Sequence, residues 1–205
     1  MTKIKLCGLF RPCDIDIANQ LKPDYIGFVF APKSKRYLSA QTASQLKKQL
    51  HPSIKAVGVF VEEMPSVIAE LLNCDIIDLA QLHGKNASST ILQLRTLTEK
   101  PLIQAFQIET EEEIQAANLS PADYILLDSK FSGSGTVFDW NLLSKITRPY
   151  FLAGGLTAQN VSDAVKMFHP YAVDVSSGIE TDGYKDKNKM TAFVQAVKIR
   201  KEDKL

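Results

Sequence analysis

The chain has 205 residues, enough to bury either one generous core or two small ones. With 45% hydrophobic and 23% charged residues it sits close to the globular average, which excludes a disordered chain. Lys and Arg number 24 against 23 Asp and Glu, a formal net charge of +1, so no global field recruits nucleic acid or a membrane surface. Any anionic ligand must be gripped locally, by a few placed groups.

In chain order, an apolar strand runs from Lys3 to Leu9, and Pro12 suits the first turn of a helix reaching to Leu21. Asp24 to Phe30 is a second buried strand, followed by a helix that Ser39 caps and that ends near Leu50. Lys55 to Val61 is the third strand, with Pro65 at the first position of the helix after it. Asp75 to Leu82 is the fourth, and Ala87 to Leu97 carries helical spacing. Pro101 to Phe106 is the fifth, and Thr110 with Glu113 forms a capping box for the next helix. Asp123 to Leu127 is the sixth, leading through the Gly/Ser-rich stretch Ser129 to Thr136 into a helix that Asp139 caps. Pro149 to Leu152 is the seventh, with Thr157 opening its helix. Tyr171 to Val175 is the eighth, and the last helix runs from Lys187 to Lys201.

A strand that returns parallel to its neighbour needs a helical crossover, and this alternation is sustained through the whole chain. Eight such units close a parallel sheet into a barrel, whereas an open doubly wound sheet leaves one or two unexplained. At about 25 residues per unit the chain is near the lower size limit of a (βα)8 barrel, about 200 residues. The expectation is therefore an α/β protein, one TIM-barrel domain over residues 1–205. The three cysteines, Cys7, Cys13 and Cys74, are too few and odd in number for a disulfide scaffold and indicate a reducing compartment. No signal-peptide pattern or membrane-length apolar run is present, so a soluble, cytoplasmic protein is expected. Nothing separates a monomer from a homodimer.

In such a barrel, chemistry gathers at the C-terminal ends of the strands. Gly154 and Gly155 after the seventh strand, and Ser177 and Gly178 after the eighth, fall where this fold commonly binds phosphate through backbone N–H groups and a helix N-terminus. Tight turns alone would also use these glycines. Cys7 ends the first strand before Gly8. It is either a small buried hydrophobe or a thiol whose pKa is tuned for a general base. Asp128 is either a carboxylate that caps the loop or pairs with Lys130, or a general acid raised by burial. Lys33 and Lys35 read as solvated, while Arg36 can fork onto a carboxylate. Gln81 and His83 end the fourth strand, His83 as a structural, hydrogen-bonded histidine. The three histidines and the cysteines show no metal-ligand spacing, and no nucleotide-binding fingerprint appears, so neither metal nor cofactor is expected.

Taken together, seven stretches resemble the phosphoribosylanthranilate isomerase family. They are Lys5-Leu-Cys-Gly-Leu9 with Arg11-Pro12, Gly27 to Tyr37, Val57-Gly-Val-Phe60, Gln81-Leu-His-Gly84, Leu127-Asp-Ser-Lys130 with Gly133-Ser-Gly135 and Phe138-Asp-Trp140, Leu152-Ala-Gly-Gly-Leu156, and Asp174-Val-Ser-Ser-Gly-Ile-Glu180. They occur in order and span the chain. The resemblance implies a small phosphorylated substrate and an Amadori rearrangement without cofactor, with Asp128 as general acid and Cys7 as general base. It further implies Arg36 at the substrate carboxylate, Gly154, Gly155, Ser177 and Gly178 at the phosphate, and Asp174 at a ribose hydroxyl. Two positions depart from the family pattern: Phe10, where a small or polar residue usually precedes Arg-Pro, and the loop after Asp128, which lacks the usual paired glycines. A histidine-pathway aminoaldose isomerase of the same fold would use two carboxylates, against which Cys7 argues. A barrel that only binds its ligand would need neither Cys7 nor Asp128.

Overall fold

The computed structural model describes residues 1–128 and 140–198. Strands β1 (Lys3–Cys7), β2 (Tyr25–Val29), β3 (Lys55–Val61), β4 (Leu79–His83), β5 (Leu102–Gln107), β6 (Tyr124–Asp128), β7 (Tyr150–Ala153) and β8 (Ala172–Val175) pair in parallel, each with the next. β8 returns to β1, pairing Lys5 with Asp174, and the sheet closes into the expected barrel. Helices α1 (Pro12–Leu21), α2 (Ala40–Gln49), α3 (Pro65–Asn73), α4 (Ala87–Leu94) and α5 (Glu111–Asn118) follow the first five strands. A 3-10 helix, Trp140–Lys145, follows β6, α6 (Val161–Phe168) follows β7 and α7 (Lys187–Lys198) follows β8. Between β8 and α7 lie a 3-10 turn, Ser177–Ile179, and a short hairpin of β9 (Glu180–Thr181) and β10 (Tyr184–Lys185). No helix among the described residues is long and apolar enough to cross a membrane.

The local signals act as their chemistry requires. Ser39 Oγ accepts from Thr42 N–H at the start of α2, and Glu113 Oε2 accepts from Thr110 N–H at the start of α5. At α1 the buried Asp14 carboxylate accepts from the Phe10 and Arg11 amides, and the Arg11 guanidinium forks onto its other oxygen. Two boundaries differ most from the sequence reading. Asp75 turns left-handed at φ +55°, and the Ile76 and Ile77 amides bond back to Leu71 O, so this stretch closes α3 and the strand begins at Leu79. Asn160 Oδ1 accepts from Thr157 N–H, making a turn of Thr157 to Asn160 and delaying α6 to Val161. The stretch Ser129 to Thr136 and the Asp139 cap lie outside the described residues.

Alternate residues of each strand face opposite sides of the sheet. One set, including Ile4, Leu6, Ile26, Phe28, Leu152 and Val173, packs outward against the helices. The other set forms a separate interior cluster of Tyr25, Val57, Leu79, Ile103, Leu126, Phe151, Ala153 and Ala172. At its N-terminal end Phe151 packs against Tyr25, Tyr124 and Tyr171, with ring centroids 5.4, 5.8 and 5.6 Å away. Lys3 Nζ donates to Tyr171 Oη at 2.9 Å, so this end of the barrel is plugged. The same parity points Lys5, Cys7, Gln81 and Asp174 inward, toward the opposite end. Phe151→Ala is expected to cost about 3–5 kcal/mol in urea-unfolding experiments, the penalty of a dry cavity among rings that cannot collapse into it. An unchanged unfolding midpoint would contradict its place in this layer.

Candidate active site

The C-terminal ends of the strands open into a cavity of about 400 Å³. All eight residues singled out from the sequence line it: Cys7, Arg36, Asp128, Gly154, Gly155, Asp174, Ser177 and Gly178. Cys7 ends β1 and Asp128 ends β6, with β7 and β8 between them around the barrel wall. His83 and Gln81 also reach the cavity, whereas Lys33 and Lys35 face solvent, as expected.

Glycines make room for the thiol and the guanidinium. A Cβ on Gly27 of β2 would lie 2.6 Å from Cys7 Sγ. Gly8 turns left-handed at φ +78°, and a Cβ there would meet Arg36 Cδ at 2.5 Å. On the far side, Gly154 and Gly155 are both left-handed, and a Cβ on Gly178 would fall 2.0 Å from Leu156 O. The loops after β7 and β8 therefore close on each other only because Gly178 has no side chain.

Arg36 does not stand alone. Its Nε and Nη2 fork onto Glu180 Oε1 and Oε2 at 2.6 and 2.5 Å, leaving Nη1 outside the fork. Glu180 Oε1 also accepts from Lys185 Nζ at 2.5 Å, and Lys185 donates further to Ser176 O at 2.9 Å. Burial disfavours the Glu180 carboxylate, but Arg36 and Lys185 outweigh it and hold the group below its ordinary range. Phe10, the departure beside Arg11-Pro12, packs against the Tyr184 ring of this hairpin at 6.1 Å, and the Arg11 guanidinium lies over both rings.

Below the thiol, the fully buried Lys5 ammonium donates to Gln81 Oε1 at 2.8 Å and Asp174 Oδ2 at 2.9 Å. Burial works against that charge, and Asp174 and the Cys7 sulfur reverse the balance, raising the Lys5 pKa. Asp174 Oδ1 is buried and has no hydrogen-bond partner among the described residues. Burial pushes the Cys7 thiol up, with Lys5 the main opposing influence, Asp174 adding to the rise and Lys185 drawing it down. No group of three metal-ligating side chains occurs among the described residues.

Sequence reasoning passed over Lys5, Glu180 and Lys185. Lys5 was legible in principle: in a parallel barrel strand the outward face must be apolar for the helices, so the polar parity of Lys3-Ile-Lys-Leu-Cys7 points inside.

The family model described as N-(5'-phosphoribosyl)anthranilate (PRA) isomerase matches residues 4–196. The chain belongs to this family. It is similar to the N-(5'-phosphoribosyl)anthranilate isomerase of Endomicrobium trichonymphae, with 43% identity over 203 residues, covering 97% of this chain and 98% of the relative. The crystal structure of phosphoribosyl anthranilate isomerase from Thermotoga maritima superposes with a TM-score of 0.86 at 34% identity, covering 97% of this chain and 99% of that one. A phosphoribosyl anthranilate isomerase in complex with reduced 1-(o-carboxyphenylamino)-1-deoxyribulose 5-phosphate superposes with a TM-score of 0.84 at 32% identity, with the same coverage of both chains. Like its family, this chain is an isomerase.

The largely buried His83 lies 2.7 Å from Gln81 Nε2 through its own Nε2, and burial beside the Lys5 ammonium lowers its pKa to about 4. The unfolded chain binds that proton near pH 6.5 and the folded one only near 4, so stability falls as pH drops through this window. At 1.36 kcal/mol per unit the loss is about 3 kcal/mol. Urea titrations at stepped pH should show it, and His83→Gln should remove that share.

Proposed function

We propose that this isomerase acts in tryptophan biosynthesis, converting N-(5-phosphoribosyl)anthranilate to 1-(2-carboxyphenylamino)-1-deoxyribulose 5-phosphate by an Amadori rearrangement. The observation that carries the reading is that a thiol and a carboxylate, Cys7 and Asp128, approach one cavity from separate strands. The two loops of the phosphate end complete that cavity.

Asp128 gives its proton to the furanose ring oxygen. The C1–O bond breaks while the anilino nitrogen lone pair forms a C1=N double bond, giving a protonated Schiff base. The Cys7 thiolate then removes the C2 proton. The C2–H electron pair becomes a C1=C2 bond, and the C1=N π electrons return to nitrogen, leaving an enolamine. Protonation at C1 and loss of the O2 proton yield the ketone. Every step is acid–base chemistry between fixed groups.

Arg36 meets the anthranilate carboxylate, and its fork onto Glu180 fixes the plane of the guanidinium beforehand. The phosphate sits against Gly154, Gly155, Ser177 and Gly178, where backbone amides suit a dianion. Asp174 accepts from a ribose hydroxyl through Oδ1, which is buried and has no hydrogen-bond partner among the described residues. A working thiolate requires reducing surroundings, which agrees with a cytoplasmic enzyme and with the free Cys7.

Turnover of phosphoribosylanthranilate, followed by its fluorescence, tests the assignment. Cys7→Ser and Asp128→Asn should each lower kcat by about 10²–10⁴-fold, the usual contribution of a placed acid or base. Because burial raises the Cys7 pKa, kcat/KM of the wild type should climb with pH into the alkaline range. Wild-type-like activity of Cys7→Ser would remove the proposed base.

A further inference from the structure

A lysine ammonium has three N–H donors. Lys5, fully buried, places two of them on Gln81 and Asp174, from strands on two sides of the barrel interior. Cys7, two residues along β1, shares its face, so the ammonium and the thiol are neighbours on one wall of the barrel interior and interact electrostatically.

Other charged groups face Cys7, but the two other cations are committed elsewhere. Lys185 donates to Glu180 and Ser176, and Arg36 is forked onto Glu180. Glu180 is thereby balanced by two cations. Asp174 opposes a thiolate, Asp128 lines the cavity from β6, and His83 from β4 is neutral above about pH 4.

The geometry points to Lys5 as the positioning residue of the thiol: its ammonium, fixed by Asp174 and Gln81 on the strand face that also carries Cys7, holds a positive charge beside the sulfur and favours the thiolate that takes the proton. The main influence drawing the Cys7 thiol down is in fact Lys5. Lys5 acts through Cys7 and makes no contact with substrate in this role. The inference rests on the base role proposed for Cys7, so its test reads the thiol without substrate.

In a Cys13→Ser/Cys74→Ser background Cys7 is the only thiol, and its alkylation by iodoacetamide can be followed by mass spectrometry across the neutral and alkaline range. Lys5→Met is expected to slow alkylation about tenfold or more near neutral pH and to move the midpoint upward by about one unit. Its kcat should fall with little change in KM and recover in part as pH rises. Lys5→Met strands the Asp174 carboxylate, so Asp174→Asn is also compared with Lys5→Met/Asp174→Asn; the slowing should persist in that neutral pair. If Lys5→Met fails to fold, this second comparison decides alone. Folded variants with the wild-type alkylation profile in both comparisons would overturn the role of Lys5. A shifted profile in an enzyme that does not turn over phosphoribosylanthranilate would instead sustain the Lys5–Cys7 coupling and refute the assigned reaction.

Discussion

The constraint on which the rest of the structure depends is a charge with no access to water. Lys5 must find its partners inside the barrel, and it finds them on β8 and β4. Its pairing with Asp174 crosses β1 and β8, the seam at which first and last strands meet. Removing one partner of such a pair costs about 3–5 kcal/mol, yet an apolar set of the same volume would fill the space without desolvating any charge. A barrel built only for stability has no use for this arrangement. Its position on β1, two residues before Cys7, ties it to the cavity at the mouth.

The two ends of the barrel are made differently. The N-terminal end is closed by Phe151 and three tyrosine rings, with Lys3 seated on them. The C-terminal end keeps a cavity and surrounds it with Lys5, Arg36 and Lys185 against Asp174 and Glu180. The packed aromatic end and the open, charged end thus occupy opposite faces, as the parallel barrel allows. A chain with a formal net charge of +1 can still present a concentrated local field, because burial keeps these groups from being screened.

The strand order and closure were legible because each strand is a short, largely apolar segment and several are followed by a cap or proline. Ser39, Pro65 and Thr110 mark true helix starts for local reasons that survive in the fold. Asp75 to Asp78 misled because Ile76 and Ile77 look like strand residues, while only the left-handed Asp75 reveals that the chain is still closing α3. The β9–β10 hairpin has two residues per strand, too short for any periodicity to register. Cys7 and Asp128 could be chosen by their place at strand ends, and Arg36 by its place in the loop after β2. Glu180 and Lys185 could not, since their importance lies in contacts with Arg36 and Ser176, more than a hundred residues away for the first pair.

On the proposed reaction, the hardest demand falls on the thiol. The substrate brings a phosphate and a carboxylate into a cavity where burial already favours neutral sulfur. Arg36 is then answered by the substrate carboxylate as well as by Glu180, and Lys185 remains answered by Glu180. Asp174, once its Oδ1 accepts from a hydroxyl, shares its charge between substrate and lysine. Lys5 is the cation least neutralised by the incoming ligand and the one nearest in sequence to Cys7. A thiolate beside two added anions is sustainable only if such a charge is held in place before the substrate arrives. A buried lysine on the same strand meets that condition, because its partners are fixed by the closure of the barrel itself.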